Sequence, residues 1–300
     1  MHTIEIPEAN FKIYIPEDLS ECDRIQYINI SSLAHQLNTG LIDQETFQIQ
    51  AVKFLCLTNK EREDSATEDK KYENIYLISD YLSSFFETDE EENTVIKQYF
   101  IHNPIEKVKH NFTTFYGPSN EFNNVSYGEY VDAMSHLYDY LETQDKTYLY
   151  LLFATFYRKK KVTLFSADAT NDKRVPYNEH RVPIIATKFK HHNFGIIYGF
   201  FLLFTSFNKY LQTAKIFVQG KEIDLSILYK DFPTDLKQKE SNIPGIGMKS
   251  LLYTIAESGV FGTLAEVRKA PLWEILIRLY DIRKRDFDAL ANQTKQENNA

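Results

Sequence analysis

The run Phe194 to Phe204, FGIIYGFFLLF, carries no charge and limits the folds open to this chain more than any other segment. Its eleven residues fall well short of the roughly 20 that a membrane-spanning helix needs. It predicts a core helix, so the rest of the chain has to supply apolar partners for it.

Composition can supply them. The chain has 300 residues, 43% hydrophobic and 25% charged, an ordinary balance for a folded protein. That length accommodates one large domain or two modest ones. Aromatic residues are abundant, with 22 Phe and 20 Tyr against one Trp, and such rings can line a core or an interface. The net charge of −8 argues against a general nucleic-acid binder, which presents a basic face to phosphates. Cys22 and Cys56 are read as buried, reduced thiols on apolar helical faces. Met1 to Pro16 lacks a basic-then-apolar leader, so the expectation is a cytoplasmic protein with no membrane partner.

Periodicity and capping predict a mainly α protein with a small β component (α+β), built of helical hairpins on a large aromatic core. Residues 1–58 form an N-terminal helical hairpin module. Within it Ser20 and Asp23 start a helix whose inner face holds Ile25, Ile28, Leu33 and Leu37, and Asn38-Thr39-Gly40 stops it. Asp43 starts its partner, with Phe47, Ala51, Phe54 and Leu55 at helical spacing. Residues 59–93 read as a charged linker, Asn59 to Glu73, then a short helix from about Asn74 to Glu87 and an acidic run. Residues 94–290 form the main helical domain with small β elements, and 291–300 a disordered tail.

In the main domain TVIKQYFI and NFTTFY have strand composition. Tyr116, Gly117 and Pro118 end the second strand, because a residue before proline is steered away from helix. Ser126 and Glu129 stand at capping-box spacing, and Gly128 between them permits close helix approach. YGPSNEFNNVSYGE is therefore a structural elbow that aims a helical hairpin. Tyr130, Met134, Leu137, Tyr138 and Leu141 form the stripe of its first helix, and Asp145 caps the second. Ser166 to Pro183 is a polar loop, KIFVQGKEIDL a hairpin turning at Gln219-Gly220, and Gly259 a helix stop. Thr263 and Glu266 form another box, and Pro271 opens the last helix.

Candidate chemistry is sparse. His191 and His192 are adjacent and point about 100° apart on a helix, so they do not share a metal easily. PGIGMKS lacks the spacing of a phosphate loop, and Arg158 to Lys161 sit where a helix end favours cations. No catalytic residue, metal or cofactor is assigned. A small metal-dependent hydrolase or nuclease using His110, His180 and nearby carboxylates is the alternative of a different class. The last helix carries the single Trp and a basic edge, so Trp273, Arg278, Arg283 and Arg285 are the candidate partner-binding residues.

Two segments resemble known proteins. YGPSNEFNNVSYGEY, followed after one hairpin by LLFATFYRK, is similar to a pattern in tail-associated proteins of phages and prophages of Bacteroidota, some of them tail assembly chaperones. Tyr116, Gly117, Pro118, Glu121, Asn124, Gly128, Glu129, Tyr157 and Arg158 carry it. AESGVFGTLAEVRKAPLWEIL resembles a second shared segment, and together they span about a third of the chain. The resemblance implies a non-enzymatic tail assembly factor of the host cytoplasm that binds tape-measure or tail tube proteins. A structural tail or neck protein retained in the virion is the alternative within that class.

Overall fold

Side chains that accept backbone N–H groups open several of the helices, satisfying donors that the first turn leaves unpaired. The computed structural model describes residues 1–6, 11–56, 68–89, 91–161, 172–230 and 248–297. Asp23 opens α1 (Arg24–Asn38) in a reciprocal box with Gln26, and Asp43 caps α2 (Gln44–Cys56) through the N–H of Thr46. Ser20 is not the α1 cap, because its hydroxyl and N–H both donate to Asp18 in a separate 3-10 turn. Cys22 ends that turn instead of riding a helical face. Burial pushes its thiol pKa up, which keeps it protonated. The side chain of Cys56 lies outside the described residues.

Contacts divide the chain into two units, Met1–Ile105 with Lys190–Ser206, and Glu106–Phe189 with Phe207–Ala300. The boundaries read from the sequence at 58 and 93 both fall inside the first unit. That unit contains the hairpin of β1 (His2–Ile6) and β2 (Phe11–Ile15), then α1, α2 and α3 (Glu68–Ser79). Helix α3 begins within the segment read as linker, since Glu and Lys favour helix whatever the apolar pattern. Residues 59–67 lie outside the described residues. The helix expected to reach Glu87 stops at Ser79, and a 3-10 turn leads into β3 (Phe86–Thr88), paired with β4 (Thr94–Ile96).

The apolar run falls in α7 (Phe194–Thr213), whose residues are shared between the units, 194–206 in the first and 207–213 in the second. It is long and apolar enough to cross a membrane by length and composition, yet 67% of its apolar window is buried within the fold. In the first unit it meets α1, where Tyr27 donates to the Gly199 carbonyl at 2.7 Å. A Cβ at Gly195 would sit 2.1 Å from the Ile28 carbonyl oxygen, so only glycine permits that approach. The inner face of α1 is Tyr27, Ile30, Leu33 and Ala34, while Ile25 is exposed; Phe54 of α2 is exposed likewise.

In the second unit β5 (Lys107–His110), β6 (Thr113–Tyr116) and β7 (Arg158–Lys159) form a three-stranded antiparallel sheet. Ser126 caps α4 (Tyr127–Thr143) and Asp145 caps α5 (Lys146–Phe156), completing the expected hairpin. Tyr138 and Leu141 point outward, and Tyr127, Tyr130, Val131, Met134 and Leu137 form the buried stripe. Residues 166–171 of the expected polar loop lie outside the described residues. From Arg174 the chain pairs with Lys160, and Val182 already opens α6 (Val182–Phe189). Gln219 and Gly220 both take positive φ at the turn between β8 (Lys215–Val218) and β9 (Lys221–Asp224), as expected for a two-residue hairpin loop. Then follow α8 (Met248–Glu257), α9 (Leu264–Lys269) with its Thr263–Glu266 box, and α10 (Leu272–Glu297). Helix α10 runs six residues past Ala291, because Asn292 to Glu297 contain no Gly or Pro to end it.

Candidate functional site

The elbow closes over a buried cluster of charges. Ser126 Oγ accepts the Glu129 N–H, and Glu129 Oε2 accepts the Ser126 N–H at 2.8 Å. The other carboxylate oxygen, Oε1, accepts from Arg158 Nη1. Arg158 also donates from Nε to the Val175 carbonyl at 2.9 Å and from Nη2 to Asp172 at 3.2 Å. Arg174 donates from Nε to Asp172 at 2.9 Å, from Nη1 to the Phe156 carbonyl at 2.9 Å and from Nη2 to the Asn124 carbonyl at 2.6 Å. The side chains of Arg174, Glu129 and Arg158 are 1, 3 and 4% exposed, and that of Asp172 is 14%.

Two cations and two carboxylates cancel, and carbonyls take further guanidinium protons. Such a cluster adds little stability over an apolar replacement, yet losing one member strands its partner at a cost of about 3–5 kcal/mol. Burial pulls the Arg158 pKa down, and the charge of Glu129 works against that shift. The cluster therefore fixes geometry. It ties the start of α4 and the end of α5 to the strand leaving them and to the returning segment 172–175.

Further polar contacts surround it. Asp132 accepts from Tyr177 at 2.7 Å and from Arg268 at 2.6 Å, and Arg268 also pairs with Glu179 at 2.6 Å. The Arg158 guanidinium lies over the Tyr177 ring, 5.7 Å from its centre. Burial and the neighbouring Asp132 push the Tyr177 hydroxyl pKa upward, so it acts as a donor. For Arg268 burial acts against the charge, but the hydrogen bond and charge of Asp132 prevail and raise its pKa.

The α9–α10 junction docks on the elbow from the other side. Tyr127 N–H donates to the Ala270 carbonyl and Leu272 N–H to the Val125 carbonyl, both at 2.9 Å. A Cβ on Gly128 would lie 2.8 Å from the Arg268 carbonyl oxygen, the close approach that this glycine allows. Trp273 donates its indole N–H to the Glu121 carbonyl at 2.9 Å and sets its ring edge-on to Phe207. Glu121 and Phe122 both take positive φ, a strained backbone for residues with a Cβ. The Trp273 hydrogen bond and the stacking of Phe122 on Phe207 hold that turn.

Between these layers opens a cleft of about 670 Å³. Glu129, Arg158, Asp172 and Arg174 line it together with Lys161, His180, Arg268 and Lys269. Beyond Tyr177 a smaller cavity of about 220 Å³ is bordered by Phe115, Ala154 and Ile185.

Of the structural-elbow residues, Ser126 and Glu129 form the α4 box, Gly128 faces the Arg268 carbonyl, and Gly117 is held by its N–H on the Glu106 carbonyl at 2.8 Å. The candidate partner-binding residues are placed apart from the cleft floor. Trp273 is half-buried, Arg278 and Arg285 both pair with Asp281, and Arg283 holds the Lys230 carbonyl and lies over Phe287. His180 is an exposed rim residue beside Glu179, and His110 borders the Phe189 ring. Among the described residues no group of three or more His, Cys, Asp or Glu side chains is arranged to hold a metal. Arg174, Asp172, Asp132, Tyr177 and Arg268 escaped the sequence reading. Comparison of the chain with protein-family models, curated proteins and solved structures finds no match.

Proposed function

We propose that this chain is a non-enzymatic assembly factor of phage or prophage tails that acts by binding another polypeptide, a tape-measure or tail tube protein. One observation carries the reading. The two segments that resemble tail-associated proteins, distant in sequence, dock on each other, and Asn124, Glu129, Arg158 and Arg268 from them line one open cleft. A shared pattern that served only to start a helix would not need both segments at one surface. The buried charges supply a rigid floor, and a rigid floor favours binding because little ordering remains to be done on association.

The test is co-expression with tape-measure and tail tube proteins of Bacteroidota phages, followed by capture on an affinity tag. Capture of a tape-measure or tube protein by the wild type, weakened by substitutions at the cleft rim, is the expected result. Capture of neither, with a folded chain, refutes the reading. Immunodetection in purified particles separates an assembly factor, expected to be absent from them, from a tail or neck protein that stays.

A further inference from the structure

We infer that the cleft takes an acidic segment of its partner polypeptide, one carboxylate of which replaces Asp172 against the Arg158–Arg174 pair; the inference rests on the polypeptide-binding reading above. Both arginines line the cleft while more than nine-tenths buried. Their four-group cluster is neutral only because Asp172 belongs to it. Asp172 is also its most accessible member, at 14% against 1–4% for the others. Glu129 is sealed in at 3% exposure, with its second oxygen on the Ser126 N–H at the start of α4. Asp172 Oδ1, which also accepts the Arg174 N–H and the Asn124 side-chain amide, lies toward the cleft, so an incoming carboxylate takes over those contacts too. An incoming carboxylate offers the same pair of acceptor oxygens that Asp172 now supplies, one to each guanidinium, as charge-assisted hydrogen bonds.

The rim supports the same sign of charge. The basic side chains that line the cleft outnumber the carboxylates by five to four, on a chain whose net charge is −8. At physiological salt charges beyond about 8 Å are largely screened, so an approaching segment responds to this local excess and not to the whole chain. Lys269 is exposed and makes no ion pair with any described residue. The cleft is far larger than a single oxyanion requires and falls within the roughly 300–1,000 Å³ of sites that enclose multi-group ligands. A run of side chains suits it better than free phosphate.

The experiment uses two fluorescently labelled peptides of one amphipathic helical design, bearing Glu or Lys at the same polar positions, and the full chain. Fluorescence anisotropy should show the Glu peptide binding, with affinity falling as salt rises, and the Lys peptide not binding. Asp172→Asn should tighten the Glu peptide by about tenfold, since it removes the competing charge. Lys269→Glu, at an exposed position, should weaken it by about tenfold. Equal binding of both peptides overturns the inference, as does displacement of the Glu peptide by inorganic phosphate at similar concentration. If Asp172→Asn does not fold, Lys269→Glu decides, and unchanged affinity in that variant overturns the inference. Capture of a tail protein undiminished by Lys269→Glu, with no Glu-peptide binding, defeats this inference and leaves the assembly reading standing. Glu-peptide binding with no tail protein captured defeats the assembly reading and leaves the chemistry of the cleft standing.

Discussion

Glu129 divides its carboxylate between two duties, capping α4 through Ser126 with one oxygen and holding the buried Arg158 with the other. A helix cap is normally a local device at the surface. Here the residues of the cap also anchor a cluster that reaches 29 residues along the chain to Arg158 and 45 to Arg174.

The two duties have different magnitudes. Ser126→Ala removes one cap acceptor and should cost roughly 0.5–2 kcal/mol. Glu129→Ala removes its half of the box and strands Arg158, at about 3–5 kcal/mol. Urea denaturation of both variants checks the order, and a Ser126→Ala loss equal to or above that of Glu129→Ala contradicts the shared-carboxylate account.

Gly128→Ala separates propensity from contact. In a free helix the exchange gains roughly 0.8–1 kcal/mol. With the new Cβ 2.8 Å from the Arg268 carbonyl, the thermal midpoint should fall instead. A rise in Tm would mean that α9 yields to the methyl group at no cost.

Trp273 is the single tryptophan, so its emission reports the junction of α10 with the elbow. Trp273→Phe keeps a ring beside Phe207 but loses the hydrogen bond to Glu121, an expected cost of about 0.5–1.5 kcal/mol from that bond alone. In Glu129→Ala the remaining Trp273 emission should shift to the red as the elbow loosens. An unshifted spectrum in a destabilised variant would uncouple the charge cluster from the docking of α10.

His136 supplies a pH dependence. Its Nδ1 is buried with no hydrogen-bond partner among the described residues. Burial lowers its pKa, while Asp132 and Asp139 oppose the shift. The folded value therefore lies below the unfolded value of about 6.5, and the unfolded chain takes up the proton first. This contribution is fully present above about pH 6.5 and is lost as pH falls through the folded value. His136→Gln should flatten the urea midpoint against pH in that window. An unchanged profile would assign the acid sensitivity to other groups.

The basic edge of α10 gives a further binding test. Charge reversal at Arg278, Arg283 and Arg285 breaks two pairs with Asp281 and the contact to Lys230. Surface pairs of this kind are worth about 0–1 kcal/mol each, so the triple variant should fold. Loss of tail-protein capture by that folded protein would place a partner contact on this edge, and full capture would leave the cleft as the proposed binding surface.

What could be read in the sequence was chemistry within about four residues. The Ser126–Glu129 and Thr263–Glu266 boxes, the Asp145 cap, the turn at Gln219-Gly220 and the stop at Gly259 all depend on neighbours along the chain. The charge cluster does not. Arg158 opens a run of four basic residues and reads as an ordinary helix end, yet it is buried while Lys159 and Lys160 are exposed. Arg174 reaches Asn124 across 50 residues and Arg268 reaches Asp132 across 136. Pairing of opposite charges at such separations leaves no period in a sequence. The polar surroundings of Asp172 and Arg174 moreover have the composition of a loop. Exposed Ile25, Tyr138 and Leu141 show the complementary limit, since an apolar residue near a helical stripe can still fall at its edge.

The division of the first unit between residues 1–105 and 190–206 has a consequence for the order of events at the ribosome. Tyr27 waits for the Gly199 carbonyl, Phe100 for Ser206, and Ile28 for the gap at Gly195. At about 5–20 residues per second, the 84 residues between its two parts, 106 to 189, take roughly 4–17 s to synthesise. For that interval the N-terminal segment exposes an aromatic face that only the later helix can cover. A nascent chain halted before residue 194 should therefore be protease-sensitive within residues 1–105, and one that has cleared the ribosome past residue 206 should be protected there while its second unit stays incomplete.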